Sequence, residues 1–211
     1  MDAALLQHQR LARVRAAFRF ALLLLVLDFH AHAHAAAIGA VPSPEGLRLG
    51  VLAGLARADV DDPAGDTDTK NYSRVALIGT LAAAKDRRWF GEAFYHRFDI
   101  DAGRDSIGVD VTRLGAALSY QARFATLPRK PWLGAGLSLS RDSFTERLTV
   151  DALGFVNNRF PEHSDTAIAL VLNAMTTWKW TPTTDFGLQL QYEQPLTGDI
   201  KTLTLGALLI F

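Results

Sequence analysis

Three adjacent residues, His163, Ser164 and Asp165, are of the types an acyl hydrolase uses: an imidazole base, a hydroxyl nucleophile and a carboxylate that orients the imidazole. Their spacing counts against that use. Neighbours on an extended strand point to opposite faces, so His163 and Ser164 meet only if the segment turns. A second candidate is acidic: Asp59, Asp61, Asp62, Asp66 and Asp68 surround Pro63 and Gly65, and carboxylates at alternate positions suit hard cations such as calcium. EF-hand spacing is absent, and a solvated loop accounts for the same charges. His30, His32 and His34 resemble a metal tract, but they fall in a segment expected to be removed.

That segment has the order of a secretory signal. Arg10, Arg13, Arg15 and Arg19 lead into the apolar run Ala21 to Leu27, and Ala33, Ala35 and Ala37 follow as small residues for a peptidase. The run is too short to span a bilayer as a helix, which takes roughly 20 residues. We therefore expect residues 1–37 to be a signal peptide, with cleavage near Ala35 or Ala37, and residues 38–45 to be a periplasmic lead-in. Asp28, at the end of the apolar run, departs from the usual pattern, and a later start codon would shorten the long basic segment. Removing 1–37 leaves 18 basic and 20 acidic residues, a net charge of −2. No clustered Lys/Arg surface argues for nucleic acid. The chain has no cysteine, so neither a disulfide framework nor a thiolate metal site is available.

The remaining chain has the length of one domain, and its apolar residues recur at period two rather than at helical spacing. Eight strands are expected: Leu47 to Ala58, Ser73 to Ala84, Trp89 to Ile100, Val109 to Phe124, Trp132 to Arg141, Thr166 to Trp178, Phe186 to Glu193 and Lys201 to Phe211. Most are near the roughly 9 to 11 residues a tilted strand needs to cross a bilayer. Connections alternate between long (Asp59 to Tyr72, Asp101 to Gly108, Asp142 to Asp165) and short (Lys85 to Arg88, Ala125 to Pro131, Thr181 to Asp185). The last, Gln194 to Ile200, is short where a long one is due. The apolar content of 142–165, including Phe144, Leu153 and Phe155, suggests a hairpin above the membrane or a contact surface.

The strands are two-faced. Leu114, Ala116, Leu118 and Tyr120 oppose Arg113, Gly115, Ser119 and Gln121; Leu133, Leu137 and Leu139 oppose Gly134, Gly136, Ser138 and Ser140; Leu188, Leu190 and Tyr192 oppose Gln189, Gln191 and Glu193. A face of Gly, Ser, Gln and charge fits a narrow lumen. The lumen candidates are Glu92, His96, Arg113, Gln121, Arg123, Asn173, Lys179, Gln189 and Glu193, read first as a paired filling that stabilises the interior. The strand Trp89 to Ile100 is ambiguous. We place Glu92 and His96 inside because an unpaired carboxylate in hydrocarbon costs several kcal/mol. Beside the short connections lie Trp89, Phe124, Trp132, Trp178, Trp180, Phe186 and Phe211, a row that reads as an aromatic girdle at the periplasmic interface.

Signal, eight strands, alternating loops and a closing strand that ends on Phe211 together resemble the small eight-stranded bacterial outer-membrane β-barrels, such as the membrane domain of outer-membrane protein A. The resemblance covers about residues 45–211 and is architectural. It implies an all-β, antiparallel up-and-down transmembrane barrel, at 46–211, in the outer membrane of a Gram-negative cell. It further implies contact with outer-membrane lipid and lipopolysaccharide, assembly by the barrel assembly machinery through the C-terminal strand, a monomer, and no cofactor. Proteins of this architecture range from structural and adhesive proteins to lipid A modifying enzymes. The expected role is non-enzymatic: envelope integrity, surface interaction or small-ligand binding. An outer-leaflet lipid A deacylase or acyltransferase using His163 and Ser164 is the alternative. An exported soluble barrel binding an apolar ligand, with its apolar faces turned inward, is a second one.

Overall fold

The computed structural model describes residues 46–61, 67–100, 106–107 and 109–211. The expected signal peptide and lead-in, and Asp62 and Asp66 of the acidic loop, lie outside the described residues. Eleven strands run in chain order: β1 (Arg48–Asp61), β2 (Thr67–Ala84), β3 (Arg87–Ile100), β4 (Ser106–Ile107), β5 (Val109–Arg123), β6 (Trp132–Phe144), β7 (Arg147–Val150), β8 (Val156–Phe160), β9 (His163–Lys179), β10 (Asp185–Pro195) and β11 (Ile200–Ile210). Eight of them close a barrel in the order β1-β11-β10-β9-β6-β5-β3-β2, every pair antiparallel, and β4, β7 and β8 form a separate three-stranded sheet.

Closure depends on small residues at the seam between β1 and β11, where Gly54 sits opposite Gly206. A Cβ on Gly54 would lie 2.3 Å from the Leu205 carbonyl oxygen, and one on Gly50 would lie 2.1 Å from that of Leu209. Only glycine allows so close an approach. The Phe211 amide then donates to the Leu49 carbonyl at 2.8 Å, which ends the seam.

Period-two patterning decides which way each strand faces. Outward, Leu55 (69 % exposed), Leu77 (66 %), Leu114, Leu137, Leu139, Leu190 and Leu205 form an apolar belt. A water-soluble protein does not display so continuous an apolar surface, and this overturns the soluble-barrel alternative, whose leucines would point inward. In β3, Trp89 and Tyr95 face out while Phe90, Glu92, Phe94, His96 and Phe98 are buried inside.

The structure extends the expected elements at one end. β1 and β2 run on to Asp61 and back from Thr67, and β6 and β9 run to Phe144 and from His163, so much of the expected loops 59–72 and 142–165 is strand. Pairing continues above the apolar belt because backbone hydrogen bonds need only a partner strand, whereas side-chain polarity there changes freely. The outward residue at which apolar gives way to polar is Arg57 on β1, Ser73 on β2, Arg97 on β3, Thr112 on β5, Arg141 on β6 and Lys201 on β11. The short connection 196–199 works as an outer turn because the amides of Leu196 and Thr197 donate to the Ile168 carbonyl while the Thr197 hydroxyl accepts from the Ile168 amide.

Candidate functional site: a filled lumen beneath an outer sheet

The lumen is layered. Toward the short turns it holds an apolar cluster of Leu52, Ile78, Phe90, Phe94, Met175, Leu208 and Ile210, and toward the long loops a second of Val60, Tyr72, Phe98, Ile100, Val109, Val111 and Ile200. The sequence reading expected a lumen of Gly, Ser, Gln and charge. The phenylalanines of β3 share the inward phase of Glu92 and His96, and they bring the apolar layers.

Between these clusters lies a buried ionic belt centred on Arg74. Its guanidinium donates through Nε (2.9 Å) and Nη2 (2.6 Å) to Glu92 Oε1, and through Nη1 to Glu193 Oε1 at 2.7 Å and Thr204 at 3.2 Å. Arg113 reaches Asp142 at 3.1 Å, Glu193 at 3.4 Å, and the hydroxyls of Ser140 and Thr202. Both guanidiniums also lie over the Phe94 ring, at 4.7 and 5.7 Å. Gln191 donates to Glu92 and Glu193, and accepts from Gln189. A smaller chain runs from Asn173 to Ser119, from Gln121 to Asn173 and from Arg88 to Gln121. His96 is sandwiched between Tyr72 and Phe94, with its Nε2 3.3 Å from the Tyr72 hydroxyl. Charges taken out of water need such partners, and eight strands leave room for little more than the side chains themselves.

Of the residues expected in the lumen, Glu92, His96, Arg113, Gln121, Asn173, Gln189 and Glu193 are buried there. Arg123 and Lys179 are not. They are exposed at the strand ends, where the phase still points inward or along the rim but the barrel wall has stopped. Arg74 and Asp142 were not anticipated. Arg74 shares its face with Ala76 and Ile78 and opposes Val75 and Leu77, a phase legible in the strand itself; Asp142 enters because β6 runs beyond Arg141.

The aromatic row also needs one correction. Trp89 meets Tyr120 edge-on at 5.1 Å, Trp178 stacks with Phe186 at 5.9 Å, and Phe124, Trp180 and Phe211 are exposed. Trp132 instead shares the inward phase of Ser138 and Ser140, packs against the lower apolar cluster, and lies 4.1 Å beneath Arg88 and 5.6 Å from Arg123. It stops the mouth of the lumen.

The candidate nucleophile and base are separated by the strand they occupy. His163 stacks on Phe144 at 4.6 Å with its Nε2 3.7 Å from Asp165, while Ser164 accepts from Arg141 on the other face. That geometry provides no Ser–His hydrogen bond to activate a nucleophile. In the acidic loop Asp59 pairs with Arg57 and Lys201 and accepts from Thr69. Partial burial would raise its carboxyl, but these hydrogen bonds and charges outweigh it and hold the group below the ordinary range. Asp68 lies opposite Val60 and so on the other face from Asp59, and among the described residues no three His, Cys, Asp or Glu converge as metal ligands.

Above the barrel, β4 pairs with β7 and β7 with β8. The β7–β8 turn is built on Asp151, whose carboxylate accepts from the amides of Leu153 and Phe155, with Gly154 at φ 85°. It leaves Leu153 (81 %) and Phe155 (66 %) exposed.

A closed eight-stranded antiparallel barrel with a leucine belt, an aromatic rim on its short turns and long strands beyond the belt is the fold of the small outer-membrane β-barrels. Solved structures agree. Neisserial surface protein A superposes with a TM-score of 0.52 at 21 % identity, covering 80 % of this chain and 98 % of that one. Ail, the attachment invasion locus protein of Yersinia pestis, gives 0.50 at 15 % identity over 78 % and 98 %. No protein-family model and no curated protein matches the sequence.

Proposed function

We propose that the protein is a non-conducting outer-membrane anchor that presents its outer β-sheet for surface interaction. One observation carries this reading: the lumen is filled from mouth to mouth, while β6 and β9 rise past the lipid belt to a sheet whose turn displays Leu153 and Phe155. A path for solutes would need the Arg74–Glu92–Glu193 belt and both apolar clusters to part. Exposed apolar side chains held by an ordered turn suit contact with another molecule. Enzymatic action on lipid A draws no support from His163 and Ser164, which diverge.

Two measurements test it together. The refolded full chain in a planar bilayer is expected to give no unitary conductance. A photo-crosslinking residue at Phe155 on living cells is expected to form adducts with a second surface component, while one at Leu137 labels lipid alone. Steady channel openings, or adducts at neither position beyond lipid, would overturn the proposal.

A further inference from the structure

We infer that the short-turn rim of the barrel binds the phosphate headgroups of anionic glycerophospholipids in the surrounding leaflet. The rim is rich in cations that have no carboxylate partner. Lys85 lies in the β2–β3 turn, Arg129 and Lys130 in the β5–β6 turn, Lys179 at the end of β9, and Arg88 and Arg123 at the mouth. None of the six makes an ion pair among the described residues, and Arg88 and Arg123 meet only the Trp132 ring and neutral groups. Of the two side-chain carboxylates on the described rim, Asp185 is already taken by Arg48 at 2.5 Å, which leaves Asp86.

The opposite rim is different, so the excess is a property of one end. There Arg57 and Lys201 share Asp59, Lys70 holds Asp99, Arg97 holds Asp110 and Arg159 reaches Glu146, while Arg141 meets the Ser164 hydroxyl and no acid among the described residues. The cations of the short-turn rim also sit at the correct depth. The Arg129 guanidinium is 5.9 Å from the Trp178 ring, and outward indoles mark the headgroup level of a bilayer. Arg129 and Lys130 both hold left-handed backbone, at φ 63° and 47°, a conformation that residues with a Cβ adopt at a cost. The turn that imposes it is closed by the Phe124 amide on the Pro131 carbonyl and the Lys130 amide on that of Leu127.

The chemistry selects the lipid. Arginine presents paired N–H donors to phosphate oxygens and lysine a mobile point charge. A zwitterionic headgroup brings its own ammonium into the same cationic rim and is disfavoured. An anionic headgroup such as phosphatidylglycerol adds a net charge that the rim lacks.

All four tryptophans lie on this rim, and Trp89, Trp178 and Trp180 face outward, so the protein carries its own reporters. The folded full chain is placed in phosphatidylcholine vesicles containing either brominated phosphatidylglycerol or brominated phosphatidylcholine, and tryptophan quenching is measured. Phosphatidylglycerol is expected to be preferred by about fivefold at low salt, the factor expected for roughly one effective surface cation, and the preference is expected to collapse at about 0.5 M salt. The combined variant Lys85→Gln, Arg129→Gln, Lys130→Gln, Lys179→Gln should lose most of it, while Arg57→Gln with Arg141→Gln on the far rim should keep it. If the combined variant does not fold by heat-dependent gel mobility, the pair Lys85→Gln and Lys179→Gln is read in its place, and an unreduced preference there overturns the inference. Equal quenching by both lipids in the unmodified protein, loss only in the far-rim variant, or full competition by millimolar inorganic phosphate would each overturn it as well. An acidic protein partner would show as the first of these results.

Discussion

Replacing Arg74 by methionine removes the centre of the ionic belt and tests whether that belt holds the barrel together. In the native lumen Glu92 Oε1 accepts two bonds from Arg74, and Oε2 accepts one from Gln191 at 3.1 Å. Without Arg74, Glu92 keeps only the Gln191 amide, while Glu193 retains Arg113 at 3.4 Å and Gln191 at 3.1 Å. Glu92 is thus left as a buried carboxylate with no cation. Breaking one side of a buried pair costs about 4 kcal/mol, which at a urea slope of about 2 kcal/mol per molar lowers the unfolding midpoint by about 2 M. Glu92→Gln in the native background leaves Arg74 paired with Glu193 and should cost about 2 kcal/mol. The double variant has no stranded charge, so it should be no less stable than Arg74→Met alone. That is a coupling of about 2 kcal/mol or more in a double-mutant cycle. Unfolding in detergent or lipid, followed by tryptophan emission and gel mobility, measures all four proteins. A midpoint for Arg74→Met within about 0.3 M of the native one, or a double variant equal to the sum of the singles, would refute the stranded-carboxylate reasoning.

Three other outcomes follow from the geometry. Gly136→Val should prevent correct β5–β6 pairing, because a Cβ there would fall 2.0 Å from the Leu118 carbonyl oxygen; loss of the heat-modifiable folded band reads this. Trp178→Leu should remove a share of the quenching by brominated lipid, whereas Trp132→Leu should remove almost none, since Trp132 faces the lumen beneath Arg88; equal effects would place both rings in lipid. Ser164→Ala and His163→Ala should leave the lipid A mass spectrum of expressing cells unchanged, as neither residue activates the other; an altered acylation pattern that depends on Ser164 would restore the enzymatic alternative.

Much of this protein was legible in one dimension. Strand identity is a local property, because side chains on an extended backbone alternate in direction and a bilayer on one side sorts them by polarity. Leu114 against Arg113, Leu139 against Ser138 and Leu205 against Thr204 therefore assign their own faces. The alternation of connection lengths was legible for a related reason, since a two-residue turn such as Lys85–Asp86 leaves no chain for anything else. In β3 the choice of face rested on Glu92 and His96 alone, whose burial in the lumen agrees with it. β3 offers large apolar residues on both faces; the barrel shows how Phe90, Phe94 and Phe98, in phase with that pair, fill the lumen in two separate clusters.

Tertiary structure decided what depends on closure. Arg74 meets Glu92 across 18 positions, Glu193 across 119 and Thr204 across 130, and those partners share a level only because β2 is joined through β1 and β11 to β10. Trp132 was expected among lipid-facing rings because tryptophan at a strand end suits the interface; the phase of β6 turned it inward, where two arginines cover it. The outer sheet likewise exists only because β4 finds β7 across more than forty residues of sequence separation. Period and polarity determined that this chain forms a membrane barrel. The neighbours that neutralise its buried charges, and the excess of unpaired cations at the short-turn rim, were decided by the register at which eight strands closed.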